Sequence, residues 1–156
     1  EYYLKAFKYI DSNKKITLFS DAPVYQGLGV NYLRNKKYKS SLTINFKLVE
    51  YFERINDRIN SLSTYLTIGA TYDKIEDYSK AIKYKKKSIE LAVPLKNKLL
   101  NRALYISLSS SYILKEDFKE AKKIINNLIS DSTNFSGSKK ISITAPLTKR
   151  SKLIQF

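Results

Sequence analysis

Three stretches of this chain superimpose without a gap at one constant offset, the step from Val24 to Thr64 and again to Leu104. They are "VYQGLGVNYLRNKKYKSSLTINFKLVEYF" from Val24, "TYLTIGATYDKIEDYSKAIKYKKKSIELA" from Thr64 and "LYISLSSSYILKEDFKEAKKIINNLISDS" from Leu104. In this register Tyr25, Tyr65 and Tyr105 share a column, as do Leu28, Ile68 and Leu108, then Gly29, Gly69 and Ser109, then Tyr32, Tyr72 and Tyr112. Further on stand Tyr38, Tyr78 and Phe118, then Ser41, Ala81 and Ala121, and last Val49, Ile89 and Ile129. A fixed period of this length confines the chain to architectures in which each unit covers its apolar face with the next.

Each unit reads as two helices. Tyr65, Ile68, Gly69 and Tyr72 lie at i, i+3, i+4 and i+7, one face of a helix. After the polar linker "DKIED", Tyr78, Ala81, Ile82, Ile89 and Ala92 mark the second helix, and Pro94 its stop. In "SDAPVY", Ser20 or Asp21 can cap and Pro23 suits a first turn. Glu116 and Asp117 stand where the last helix should start, favourable to its dipole. Gly29, Gly69 and Ser109 fall mid-helix, where Gly costs about 1 kcal/mol relative to Ala. The small column predicts a close crossing there, with Ser41, Ala81 and Ala121 as the matching small face. Only 4 Gly and 3 Pro are present, too few for a turn-rich all-β domain.

The segments "LGVNY" (28–32), "IGATY" (68–72) and "YSKA" (78–81) resemble the tetratricopeptide repeat, over roughly residues 22–130. The resemblance implies an all-α fold, an α-α superhelix: a right-handed solenoid of antiparallel helical hairpins. The 40-residue period exceeds the roughly 34 residues of that family, implying longer helices or linkers, and Tyr25, Tyr65 and Tyr105 replace its usual Trp. Where the family has an aromatic four residues after Ser41, Ala81 and Ala121, this chain has Asn45, Lys85 and Ile125. The first two are expected to be partly exposed, with Phe46 and Tyr84 packing instead.

The expected organisation is one helical repeat domain over residues 1–130, with a partial leading repeat at 1–19 and repeats at about 22–60, 61–100 and 101–130. Residues 131–156 read as a tail or irregular cap in which "KISITA" alternates like a strand. Opening at Glu1, the chain is expected to be a processed or excised piece of a larger protein.

Composition narrows the chemistry. Cys and His are both absent, which removes disulfides, thiolate and imidazole chemistry and the common Cys or His metal sites. No cofactor is expected, and an enzyme is the weakest reading. A Ser–Lys pair is not excluded by counting. The acid pairs Glu50/Glu53, Asp73/Asp77, Glu76/Asp77 and Glu116/Asp117 mostly fall at linkers and helix starts, where acids cap. "GLG" at 27–29 lies inside a helical pattern and lacks the rest of a phosphate loop. No run approaches the ~18 apolar residues of a transmembrane helix.

The net charge of +15 comes from 24 Lys and 5 Arg against 14 acids. It favours acidic partners. Sequence-reading nucleic-acid interfaces lean on Arg forks, which are scarce here. Lys80, Lys83 and Lys87 share one face of the second helix, opposite Ala81, Ile82 and Ile89, and read as a solvated outer face.

The resemblance places a ligand groove on the first helices. Its lining would be Gln26, Val30, Leu33 and Arg34, then Leu66, Ala70, Asp73 and Lys74, then Ile106, Ser110 and Ile113. The Lys/Asn/Arg clamp by which some relatives grip an acidic peptide terminus is absent from the matching positions. The expected groove is mildly apolar, and the expected function is a non-enzymatic protein- or peptide-binding scaffold for an acidic or amphipathic partner. The finer expectation is a sensory or interaction domain of a larger bacterial protein. Self-association through an exposed terminal repeat face is a further expectation. The alternative is a basic helical module binding nucleic acid or an anionic membrane surface.

Overall fold

The computed structural model describes residues 21–133. The leading half-repeat, Ser20 and the strand-like tail segment lie outside the described residues. Six α-helices follow one another: α1 (Ala22–Arg34), α2 (Tyr38–Arg54), α3 (Arg58–Lys74), α4 (Tyr78–Ala92), α5 (Lys98–Leu114) and α6 (Phe118–Thr133). A short 3₁₀ turn, Val93–Leu95, carries Pro94 and separates α4 from α5. No strand occurs among the described residues. The helices pair as α1/α2, α3/α4 and α5/α6, one hairpin per repeat unit. The long period is spent on helix rather than linker: α2 to α6 each run 15 to 17 residues. α3 absorbs Asp73 and Lys74, so "DKIED" is only partly linker.

Every junction passes through one left-handed residue. Lys36, Asn56, Glu76, Lys96 and Glu116 adopt left-handed φ angles between 52° and 64°, evenly spaced at half the repeat. After α1, the Lys37 N–H donates to the Tyr32 carbonyl at 2.8 Å and Lys36 N–H to that of Leu33 at 3.1 Å. This is the Schellman pattern, which satisfies carbonyls that a helix end leaves orphaned. The same bond recurs from Asp57 to Phe52, Asp77 to Tyr72 and Asp117 to Tyr112. At four of the five junctions the residue after the left-handed one caps the next helix. Asp57 accepts from Asn60 N–H, Asp77 from Lys80 N–H, Asn97 from Leu100 N–H and Asp117 from Glu120 N–H. A turn this short, bonded on both sides, folds the chain back on itself. Asp117 thus serves as the expected cap, whereas Glu116 sits in the turn.

The core runs from unit to unit in three clusters. Tyr25, Leu28, Ile44, Leu48 and Phe52 bury together between α1 and α2. Val49 of α2 joins Tyr65, Ile68 and Tyr72 of α3 and Ala81 of α4. Leu62, Ile82 and Ile89 receive Leu104, Leu108 and Tyr112 of α5. Full burial of a side chain such as Leu28, Leu48 or Ile68 contributes about 1.5–3 kcal/mol.

The small column does mark a close crossing, with the expected Ser41 and Ala81 on the facing helix, and two further side chains fill it. Asn45 and Lys85, expected to be partly exposed, are 2% and 3% exposed. A Cβ on Gly29 would lie 2.7 Å from Asn45 Nδ2, and one on Gly69 would lie 2.7 Å from Lys85 Cγ. The missing side chain makes room for a polar one on the next helix. Ser41 adds to the first crossing by donating to the Gly29 carbonyl at 2.9 Å. Phe46 and Tyr84 pack as expected, edge to face with centroids 5.6 Å apart. Tyr84 also stacks on Tyr72 at 5.5 Å and on Tyr65 at 6.0 Å.

Candidate functional site

Between the first helices of two successive hairpins lies a cavity of about 360 Å³. α1 supplies Gln26, Gly27, Val30, Asn31 and Arg34, α3 supplies Ser63, Thr64 and Thr67, and Asn45 of α2 closes it. Helical spacing explains the α1 set: Gln26, Val30 and Arg34 follow one another at i, i+4 and i+8 and so stand one above another. Gln26 Nε2 donates to Asn60 Oδ1 at 3.0 Å across to α3. Asn60 is itself fixed by Asp57, to which its amide donates at 2.7 Å. The hydroxyls of Thr64 and Thr67 donate to the carbonyls of Asn60 and Ser63, which leaves their lone pairs available as acceptors. The cavity therefore offers amides, hydroxyls and one guanidinium around a single aliphatic side chain.

Of the residues expected along the groove, Gln26, Val30 and Arg34 come together here. Leu66 instead packs against the cluster of Leu62, Ile82, Leu104 and Leu108. Leu33 and Ala70 are half-buried, and Lys74 is exposed. Ile106, Ser110 and Ile113 stand exposed on α5. Polar side chains line the cavity between α1 and α3, and the exposed apolar side chains Ile106 and Ile113 stand on α5. Asn31, Asn45, Ser63, Thr64 and Thr67 are additions that the sequence reading misses. The sequence does hold a signal for all of these but Asn45: "NYLRN" and "STYLT" put amides and hydroxyls beside the groove columns.

Asp73 is directed away from the groove, into the joint between units. Its carboxylate accepts from Lys85 Nζ at 2.5 Å and from Ser111 Oγ at 2.8 Å. Lys85 Nζ also donates to Ser111 Oγ at 2.7 Å and to the Ser107 carbonyl at 2.9 Å. An ammonium has three hydrogens, and all three are used. The Ser–Lys pair that composition left open thus occurs as a buried bridge among α3, α4 and α5. The equivalent joint between the first two units is uncharged: Leu33 replaces Asp73, Asn45 replaces Lys85, and Ser41 Oγ lies 3.3 Å from Thr71 Oγ1.

Lys80, Lys83 and Lys87 are exposed, as expected of an outer face. Each lies over a tyrosine ring: Lys80 over Tyr72 at 5.3 Å, Lys83 over Tyr84 at 5.9 Å and Lys87 over Tyr65 at 5.0 Å. Lys80 also pairs with Asp77 at 2.7 Å. Its hydrogen bond holds the Asp77 carboxyl below the usual range and raises its own ammonium in turn. Beneath them Tyr65 donates to Glu53 Oε1 at 2.5 Å. Burial, with help from that carboxylate, pushes the Tyr65 hydroxyl well above the ordinary tyrosine value. Burial also raises Tyr84, with Tyr72 beside it.

Comparison with solved structures finds the same arrangement of hairpins elsewhere. The TPR domain of Arabidopsis FLU superimposes with a TM-score of 0.66 at 16% identity, over 74% of this chain and 97% of that one. The fold is TPR-like. BtubC from P. vanneervenii matches with a TM-score of 0.74 at 17% identity, over 96% of this chain. This TPR-like chain spans 62% of BtubC's length. No family model and no curated protein matches the sequence. At such low identity the likeness speaks for the fold, and the site rests on the geometry above. No helix among the described residues of the TPR-like domain is long and apolar enough to cross a membrane.

Proposed function

We propose that this chain is a non-enzymatic scaffold that captures a peptide or protein segment on the inner face of its first helices. The observation that carries this reading is the cavity bounded by Gln26, Val30 and Arg34 of α1 and by Ser63 and Thr67 of α3. Carboxamides both donate and accept, which suits the alternating N–H and C=O groups of a peptide main chain. Val30 offers an apolar contact, and Arg34 a bidentate fork for a carboxylate. The net charge of +15 favours the approach of an acidic segment. The finer reading, a sensory or regulatory module of a larger bacterial protein, rests on the resemblance of the 40-residue period to such repeats.

The test is selection of a random peptide library on the immobilised chain, followed by affinity measurement of the enriched peptides. Val30→Glu and Arg34→Glu should each weaken them by about tenfold or more, equivalent to about 1.4 kcal/mol. Enriched peptides indifferent to both changes would remove the cavity from consideration. Binding that instead collapses when Lys80, Lys83 and Lys87 are changed to Glu, and that falls steeply with salt, would favour the basic outer face.

A further inference from the structure

The hairpins cover one another in a fixed register, and that register identifies what the last one leaves open. Ile89 on α4 is 7% exposed and lies in the cluster that receives α5. Its counterpart one unit on, Ile129 of α6, is 42% exposed. Lys85 at 3% is followed by Ile125 at 38%. On the first helix, Leu66 packs into the α5-facing cluster, while its counterpart Ile106 is 50% exposed. Side chains at positions that receive the next hairpin in the second unit are thus open in the third, among the described residues. Cations border the patch: Arg102 lies one turn before Ile106, Lys122 stands at i−3 from Ile125, and Lys119 is one turn further back; all three are exposed.

We infer that this end face docks an amphipathic helix with acidic flanks, seated on α5 and α6 as α5 is seated on α3 and α4. Charge decides among the occupants. Residues 134–156 carry five cations (Lys139, Lys140, Lys149, Arg150 and Lys152) and no carboxylate side chain. A second copy brings a net charge of +15. Either would set cation against cation at Arg102, Lys119 and Lys122. A helix with Asp or Glu beside its Leu/Ile stripe pairs with that rim while it buries Ile106, Ile125 and Ile129. The buried stripe supplies most of the affinity and the rim sets selectivity.

Two synthetic peptides built on the α5 sequence test this with the full chain. One has Lys98, Arg102 and Ser110 replaced by Glu; the other keeps Lys98 and has Arg102 and Ser110 replaced by Lys. Titration should show saturable binding of the acidic peptide and at least about tenfold weaker binding of the basic one. Ile106→Ser and Ile125→Ser should each weaken the acidic peptide about fivefold or more, with the helical circular-dichroism signal unchanged. Val30→Glu should leave this binding intact, which separates it from the groove proposal. The inference is overturned if the acidic peptide fails to bind, if both peptides bind alike, or if neither serine change matters. It is equally overturned by an Ile125-dependent association of the chain with itself, or with phosphatidylserine vesicles, that the acidic peptide does not displace.

Discussion

Gly69 on α3 and Lys85 on α4 fit as a space and its filling, with the Lys85 stem passing where a Cβ would stand, 2.7 Å from Lys85 Cγ. An alanine at 69 would gain about 1 kcal/mol of helix propensity. Against this, overpacking costs about 1–3 kcal/mol, and the next atom in the way, the Ala81 carbonyl oxygen at 3.2 Å, is backbone. Gly69→Ala is therefore expected to lower stability in urea unfolding by about 1 kcal/mol, the balance of overpacking against propensity. A stabilising alanine would show that the helices do not cross this closely.

The bridge beyond that crossing should behave as a unit. Asp73→Leu strands a buried ammonium and Lys85→Met strands a carboxylate; breaking a buried pair in this way costs about 3–5 kcal/mol. Asp73 retains some exposure, so its partner's removal belongs at the lower end. The double variant should lose less than the sum of the singles by about 1.5 kcal/mol or more. The first unit already holds the neutral pairing, Leu33 with Asn45. Strict additivity across the cycle would mean that the bridge contributes nothing specific.

Stability should fall in alkali before Tyr65 and Tyr84 titrate in the folded chain. The Tyr65 hydroxyl is raised in the folded chain by burial first and by Glu53 second, from the ordinary value of 10.0. Tyr84 is raised in the same direction. For a group whose folded value is raised, the stabilisation is full below the unfolded value and is lost as pH climbs from there toward the folded one. The urea midpoint should hold up to about pH 10 and then decline, and Tyr65→Phe should flatten that decline. Tyrosinate absorbance from Tyr65 at its unperturbed pH would contradict this.

Leu66 and Ile106 occupy one column but should answer differently. Leu66 is packed against the α5-facing cluster, so Leu66→Ala should cost roughly 2–3 kcal/mol. Ile106 is half exposed, so Ile106→Ala should stay within about 0.5 kcal/mol of the parent. Thermal unfolding of the two variants checks both. Loss of binding in Leu66→Ala would therefore not by itself locate a site.

Much of the fold is legible in the chain because its columns are apolar and local: Tyr25, Leu28, Tyr32 and their counterparts mark one face of each first helix, buried except at the half-buried Tyr32 and the exposed Tyr105. A finer periodicity is harder to see. Asp57, Asp77, Asn97 and Asp117 recur at half the repeat, and they cap the helices at the turns that close the preceding ones. Asn45 and Lys85 defeat a reading by residue type, because both types favour solvent. Lys85 finds its partners far along the chain, at Ser107 and Ser111, while Asn45 donates to the Ser41 carbonyl one turn back and fills the space beside Gly29. The groove is half legible. Helical spacing locates Gln26, Val30 and Arg34, but nothing in the α3 sequence alone says that Asp73 points into the joint or that Leu66 is claimed by the core.

The inner cavity, rather than the lysine-covered outside, is the central claim, and amide chemical-shift mapping with a library-selected peptide tests it most directly. The expected result is a cluster of shifted amides at residues 26–34 and 63–67, with those of Lys80 to Lys87 unmoved and only modest weakening in high salt. Shifts concentrated on Lys80 to Lys87, fading as salt is raised, would contradict it.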